Sequence, residues 1–283
     1  MQIIKHEWFS VPRHQRFTII PLGDIHLGAR ACDEKQLSRV VKRIRKSPDT
    51  YWIGLGDYAD FINRSDRRFD PATLASWFTV ADLVDPPRAQ IEKLMEYLLP
   101  IADKCLGLIE GNHESLIRHR YERDVYSEIV SQIKRAKGMA ADESLALGVC
   151  GWLLLRFYRG ERGGGAQTIK INCHHGFVGG RLAGAKALNM QRWLWTHSAD
   201  LVIFGHSHNT SAQPEAVEGL NQAGDLVTEV RKGCFSGTFL RTTENGATTY
   251  SEAAGYFPLP ICGARITLRP GAARQAERVK IEV

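Results

Sequence analysis

Residues 16–28 read RFTIIPLGDIHLG, an apolar run of six positions broken by Gly23 and followed at once by Asp24 and His26. A run of this length, rich in β-branched and aromatic residues and ended by glycine, predicts a strand that delivers its polar residues into a loop. The same arrangement recurs at residues 50–57 (TYWIGLGD) and 104–114 (KCLGLIEGNHE). Between these runs the period changes. Residues 35–46 (KQLSRVVKRIRK) carry Leu37, Val40, Val41 and Ile44 at helical spacing, and residues 90–99 (QIEKLMEYLL) form a second helical pattern closed by Pro100. Strand, helix, strand, helix, strand is the order of parallel α/β layering. In such sheets ligands collect beyond the carboxyl ends of the strands, which is where the polar residues fall.

The second half is richer in β-type signals. Residues 152–158 (WLLLRFY) and 168–173 (TIKINC) flank a glycine-rich turn at 159–165, as a hairpin would. A helix is expected over 185–196, with Leu188, Met190, Trp193 and Leu194 as its apolar face. Short strands are expected at 201–204, 226–231 and 264–268. No repeat or linker divides the chain, so all 283 residues are read as one domain, with 269–283 as a loosely held tail.

Composition bounds the class. Hydrophobic residues make up 43% and charged residues 24%, the proportions of a soluble globular protein. No window approaches the ~20 apolar residues of a membrane span, and the first residues lack the apolar core of a signal peptide. The expected location is therefore the cytoplasm, with no membrane partner. The six cysteines are scattered without a C-x-x-C pair and read as free, buried thiols. A formal net charge of +6 suits an anionic substrate.

Five polar clusters follow strand-like runs: Asp24-Ile25-His26, Gly56-Asp57, Gly111-Asn112-His113-Glu114, His174-His175-Gly176 and Gly205-His206-Ser207-His208. Taken singly, each occurs by chance in many chains; the argument lies in their order. Hydrolysis of a phosphate ester needs a nucleophile placed against an anionic phosphorus, and two divalent ions can activate a water and neutralise the charge. Mixed carboxylate, amide and imidazole ligands suit Mn, Fe, Zn or Ni.

The order D-x-H, G-D, G-N-H-E, H-G, G-H-x-H, spanning Asp24 to His208, resembles the calcineurin-like metallophosphoesterase superfamily. That resemblance implies a four-layer α/β/β/α sandwich around a central pair of mixed β-sheets. It also implies two divalent metal ions, with Mn²⁺ expected ahead of Fe, Zn, Ni or Mg. Asp24 and His26 would bind the first, Asp57 would bridge, and Asn112 would bind the second. His175 rather than His174 would bind the second metal, as would His206, with His208 on the first. His113 would be the catalytic residue, touching the phosphate and protonating the leaving group, a task its near-neutral pKa suits.

Arg64, Arg67 and Arg68 follow Asp57, Arg118, Arg120 and Arg123 follow His113, and Arg181 and Lys186 follow His175. They offer a basic rim or, equally, ordinary surface ion pairs. Tyr58 and Phe177 are positioned in sequence to stack a base. The substrate contacts expected from these patterns are Tyr58, Arg64, Arg118 and Arg181. Within the superfamily, Asp-Ile-His-Leu-Gly resembles SbcD-like DNA exonucleases, and residues 233–260 resemble phage and prophage phosphoesterases. The resemblance thus implies a phosphodiesterase or nuclease acting on nucleic acid or nucleotides by attack of a metal-activated hydroxide. The competing expectations are a phosphomonoesterase or cyclic-nucleotide phosphodiesterase, and a binding module that has kept the fold without activity.

Overall fold

A computed structural model describes residues 1–283 except positions 63, 67, 68, 177–181, 247 and 254 and the side chains at 250 and 262. In chain order the elements begin β1 (Gln2–Trp8), β2 (Phe17–Leu22), α1 (Glu34–Lys46), β3 (Thr50–Gly54), α2 (Pro86–Leu98), β4 (Cys105–Ile109) and α3 (Asn112–Tyr121). There follow α4 (Val125–Lys137), β5 (Ala146–Gly148), β6 (Cys150–Phe157), β7 (Gln167–His174), α5 (Ala183–Thr196) and β8 (Leu201–Phe204). The last are β9 (Ala212–Leu220), β10 (Leu226–Phe235), β11 (Gly237–Thr238), α6 (Tyr250–Ala253), β12 (Cys262–Gly263), β13 (Arg265–Leu268) and β14 (Val279–Glu282).

Two six-stranded sheets result, ordered β14-β13-β2-β3-β4-β5 and β1-β6-β7-β8-β10-β9. Both are mixed. β2 through β5 run parallel while β13 pairs antiparallel to β2, and β6–β7 and β9–β10 are antiparallel pairs in the second sheet. Strand alternation sorts the core into layers. In β2, Ile20 and Leu22 face the helices while Ile19 faces the other sheet; in β3, Trp52 and Ile53 divide the same way. Leu37, Val41 and Ile44 of α1, with Leu94 and Leu98 of α2 and Ile129 and Ile133 of α4, cover the outer face of the first sheet. Met190 and Leu194 of α5 cover Val202, Phe204 and Phe235 on the second. The layers are thus α/β/β/α, as the sequence led us to expect.

Local chemistry fixes the helix ends. Asp33 caps α1 by accepting the Gln36 N–H at 2.9 Å, and Asp85 caps α2 just ahead of Pro86, so that helix starts four residues earlier than its apolar pattern suggests. Each buried α1 side chain contributes about 1.5–3 kcal/mol by leaving water. α4, whose Val125, Ile129 and Ile133 have helical spacing, and the edge strand β1 were not anticipated. In α5, Leu188 is exposed rather than part of the buried face. Cys32, Cys105, Cys150, Cys173 and Cys234 are free thiols, and Cys173 lies in the core between the sheets. No helix among the described residues is long and apolar enough to cross a membrane.

The C-terminal segment is not the loose tail expected of it. β14 pairs antiparallel with β13 and closes the first sheet. Gln275 ties the segment to the second sheet, accepting the Val230 N–H at 3.0 Å and donating to the Val230 carbonyl at 3.0 Å and to Asp200 Oδ1 at 3.1 Å. Its amide stands in for one residue of a ladder, a role with no periodic signature. Gln275→Ala leaves those backbone groups unmatched and is expected to cost about 1–2 kcal/mol, read as a lower urea midpoint at unchanged slope.

Candidate functional site

The loops after β2, β3, β4, β7 and β8 meet at one end of the sheets. The first two are laced together by backbone hydrogen bonds: Asp24 N–H donates to the Gly56 carbonyl at 3.0 Å, and Ile25 and His26 N–H donate to that of Asp57 at 2.9 and 3.1 Å. Asp24, His26, Asp57, His206 and His208 all have φ between 49° and 61°. Left-handed backbone at five such residues costs on the order of 1 kcal/mol each and clusters where a site over-determines it. Two glycines allow the loops to touch. A Cβ on Gly111 would fall 2.2 Å from the Asp57 nitrogen, and one on Gly56, itself at φ +84°, 2.5 Å from Gly111 Cα.

Glu114 is fully buried and organises the floor of this site. Its Oε2 accepts the N–H groups of Asp57 and Gly111, both at 2.9 Å, and its Oε1 that of Tyr58 at 2.8 Å. One carboxylate thus joins the β3 loop to the N-terminus of α3, where a negative charge is also favoured by the helix dipole. Burial, reinforced by the nearby Asp57 charge, pushes the Glu114 carboxyl up to about 7.

The structure brings together all seven residues expected to bind metal. Asp24, His26 and His208 form one group with their ligand atoms within 4.8 Å of one another, and Asp57, His175 and His206 form another. His26 Nε2 and His208 Nε2 face each other at 3.1 Å, and His208 Nε2 lies 3.4 Å from Asp24 Oδ1. Asp57 Oδ2 lies between the groups, 3.4 Å from His175 Nε2 and 3.9 Å from His26 Nε2. Asn112 Oδ1 is 2.9 Å from His175 Nε2. His175 Nδ1 donates to the Leu55 carbonyl at 2.6 Å, which leaves its Nε2 as the coordinating nitrogen.

The electrostatics couple the two carboxylates to the imidazoles around them. Burial alone would raise the carboxyl groups of Asp24 and Asp57, yet His208 holds Asp24 below its ordinary range and His175, with His113, holds Asp57 well below it. Burial works to lower His175, and Asp57 beside it overrides that and raises the ring to about 10. Asp24 Oδ1 and His206 Nδ1 are buried with no hydrogen-bond partner. Buried polar atoms are rarely left so, and two carboxylates facing converging imidazole nitrogens fit divalent ions. These Asp and His groups can therefore hold metal.

His174 goes elsewhere. Its Nδ1 accepts the Gly176 N–H at 2.7 Å, its ring sits edge-on to Trp193, and burial lowers it to about 4. Strand alternation explains the division: Asn172 and His174 face α5, and His175 faces the site.

His113 donates from Nδ1 to the Asp60 carbonyl, and its ring lies 3.8 Å from Asp60 Oδ1. Burial would lower its pKa, but Asp57 and then Asp60 raise it above the ordinary value. His26 Nδ1 is also 3.4 Å from Asp60 Oδ1. Asp60 therefore positions two site histidines, and sequence reasoning passed over it. It stands three residues beyond Asp57, in no pattern that would have marked it.

The expected substrate contacts fare less well. Tyr58 is wholly buried, its hydroxyl donating to the Ile109 carbonyl at 2.8 Å, so no face of the ring is available to a base. Arg118 pairs with the buried Glu110 at 2.9 Å, Arg120 with Asp66 at 3.5 Å, and Arg123 with Asp85 at 2.6 Å. Much of the supposed basic rim is thus ion pairs, and Arg64, though exposed, does not line the cavity over the site. Arg181, with Phe177, Arg67 and Arg68, lies outside the described residues. That cavity measures about 720 Å³ and includes His26, Asp57, Asn112, His113, His206 and His208. Lys186 lines it too, donating from Nζ to the Ser207 carbonyl at 2.8 Å.

The model of the calcineurin-like phosphoesterase family matches residues 17–210. No curated protein matches the chain significantly. Similar solved structures include a conserved uncharacterized protein of Streptococcus pneumoniae, described as a predicted phosphoesterase, at 14% identity and TM-score 0.33, covering 95% of this chain and 98% of that one. Vps29 of Chaetomium thermophilum aligns at 13% identity and TM-score 0.34, over 89% of this chain and 81% of that one. The NAD nucleotidase NadN of Haemophilus influenzae aligns at 9% identity and TM-score 0.37, over 95% of this chain and 49% of that one.

Proposed function

Since the chain belongs to the calcineurin-like phosphoesterase family, we propose that it is a phosphodiesterase dependent on two divalent metals, acting on nucleic acid or nucleotides. The observation that carries this reading is the pairing of buried Asp24 and Asp57 with His26, His175, His206 and His208, a cluster of which Asp57, His26, His206 and His208 line one cavity together with His113. When bound, a pair of divalent ions supplies a water of lowered pKa and neutralises charge on the phosphate. The chain's own residues do the rest. Asp57 and His175 are held by Glu114 and Leu55, so the site keeps its shape through the reaction. Lys186 adds a positive charge at the cavity wall that a phosphate oxygen can use. His113 has its Nδ1 committed to Asp60, which leaves Nε2 to pass a proton to the departing oxygen.

The test is hydrolysis of bis-p-nitrophenyl phosphate, p-nitrophenyl phosphate, single-stranded DNA and RNA, with Mn²⁺ and then with EDTA. Diester hydrolysis that EDTA abolishes and Mn²⁺ restores is the expected result. Failure on every ester with every divalent ion overturns the reading, and a strong preference for the monoester replaces it with a phosphomonoesterase. His113→Gln should lower kcat about 10²-fold on DNA or another poor leaving group. The loss should be much smaller on p-nitrophenyl esters, whose leaving group needs no proton. Equal losses on both would remove His113 as the acid.

A further inference from the structure

The cavity has two kinds of wall. Its floor is ionic and comes from residues inside the span that matches the family model, 17–210. Its outer wall carries Leu240, Tyr256, Phe257 and Leu259, all beyond that span. This wall lies outside the span that matches the family model, yet it is tied to the site: Phe239 N–H donates to the Asp24 carbonyl at 3.1 Å, and Arg241 N–H to that of Ala31 at 2.9 Å. The Arg241 guanidinium holds Glu244 at 2.7 Å and Asp33 at 3.6 Å, and Arg30 reaches the Asn245 carbonyl at 3.3 Å. Thr242 hydrogen-bonds the Phe257 carbonyl at 3.4 Å and the Leu259 N–H at 3.3 Å, which fixes the turn bearing the aromatic pair.

Tyr256 and Phe257 are nevertheless 45% and 58% exposed. Aromatic rings presented to the cavity on an anchored wall, opposite an ionic floor, suit a ligand with a flat apolar face on one side and an anion on the other. A nucleoside joined to a phosphate has that form, and base–aromatic stacking tolerates any base. The cavity volume is in the ~300–1,000 Å³ range of small-molecule sites.

We infer that the Tyr256–Phe257 rim stacks the nucleoside of a nucleotide-bearing phosphodiester whose phosphate lies on the ionic floor. This assignment rests on the phosphodiesterase reading and adds to it the part of the substrate that is recognised.

The experiment compares wild type, Phe257→Ala and Tyr256→Ala, each with Mn²⁺. The substrates are methyl p-nitrophenyl phosphate and the p-nitrophenyl ester of thymidine 5′-monophosphate, and calorimetry measures binding of thymidine 5′-monophosphate. Both esters release p-nitrophenol, so they differ only in the group that stays on phosphorus. Wild type is expected to prefer the nucleoside ester, chiefly through KM. Phe257→Ala should reduce the ratio of kcat/KM between the two esters roughly tenfold, at the lower end of what one stacked base contributes. It should weaken nucleotide binding by a similar factor. Both side chains are exposed, so neither variant should unfold, and a melting curve verifies this. An unchanged ratio together with unchanged nucleotide binding overturns the rim assignment and leaves the phosphodiesterase reading standing. If wild type cleaves no ester with any divalent ion yet binds the nucleotide, and Phe257→Ala loses that binding, the phosphodiesterase reading falls and only the nucleoside contact of the rim is retained.

Discussion

Asp57→Asn is expected to lower kcat/KM on a phosphodiester by at least about 10³-fold, or about 4 kcal/mol of transition-state stabilisation, and to strip metal from the purified protein. The substitution is nearly isosteric, so it isolates charge from shape. Asp57 Oδ1 accepts the His113 N–H at 2.9 Å, while Oδ2 stands between the two groups of imidazoles, 3.4 Å from His175 and 3.9 Å from His26. An asparagine can keep the first bond. At the second position it offers either an uncharged oxygen or an amide nitrogen that repels a cation. Because Asp57 Oδ2 lies between the two groups, its loss should affect both ions, whereas Asp24→Asn should weaken chiefly one. Metal analysis by mass spectrometry, alongside kinetics at saturating Mn²⁺, checks this. Full metal occupancy with activity within tenfold of wild type would place the centre elsewhere.

How much of this was legible depends on where each residue's information resides. Asp24, His26, Asp57, Asn112 and His113 could be read because strand periodicity ends visibly at Gly23, Gly56 and Gly111, and residues just past parallel strands share one end of the sheet. Alternation along β7 told that only one of His174 and His175 could reach the site, and the family resemblance, not the alternation, selected His175. Tyr58 could not be placed by adjacency. The left-handed backbone at Asp57, φ 51°, turns the following ring away from the cavity and into the core, where Ile109 takes its hydroxyl. Arg118 and Arg123 sit where a rim would need them, but Glu110 and Asp85, distant in sequence from the basic cluster or hidden in a strand end, claim them. Asp60 and Gln275 act through tertiary geometry that no period announces. The aromatic wall around Phe257 comes from a polar, turn-rich stretch, where sequence offers residue types but no face. Sequence thus conveys what periodic backbone arranges, and it conveys little of what long-range hydrogen bonds arrange.

Glu114 shows how stability and chemistry meet in one such residue. Its carboxylate accepts three backbone N–H groups, from Asp57, Tyr58 and Gly111, with no exposure to water that could take its place. In Glu114→Ala those three donors remain buried, each costing about 1–3 kcal/mol when left unsatisfied. A loss of about 4 kcal/mol is therefore expected, which in a chain of this size lowers Tm by roughly 10 °C. Glu114→Gln retains one oxygen for part of the set but turns an amide nitrogen toward the remaining donors, so it should fall between wild type and alanine. If Glu114 only held the fold together, the glutamine variant, once folded, would bind Mn²⁺ normally. Glu114 instead fixes the distance between the loop bearing Asp57 and the helix start bearing Asn112. The folded glutamine variant should accordingly show weaker Mn²⁺ binding in a titration at a temperature well below its Tm. Wild-type affinity in that variant would reduce Glu114 to a helix cap. An alanine variant destabilised by less than about 1 kcal/mol would mean that water fills the space the carboxylate leaves and satisfies its three donors.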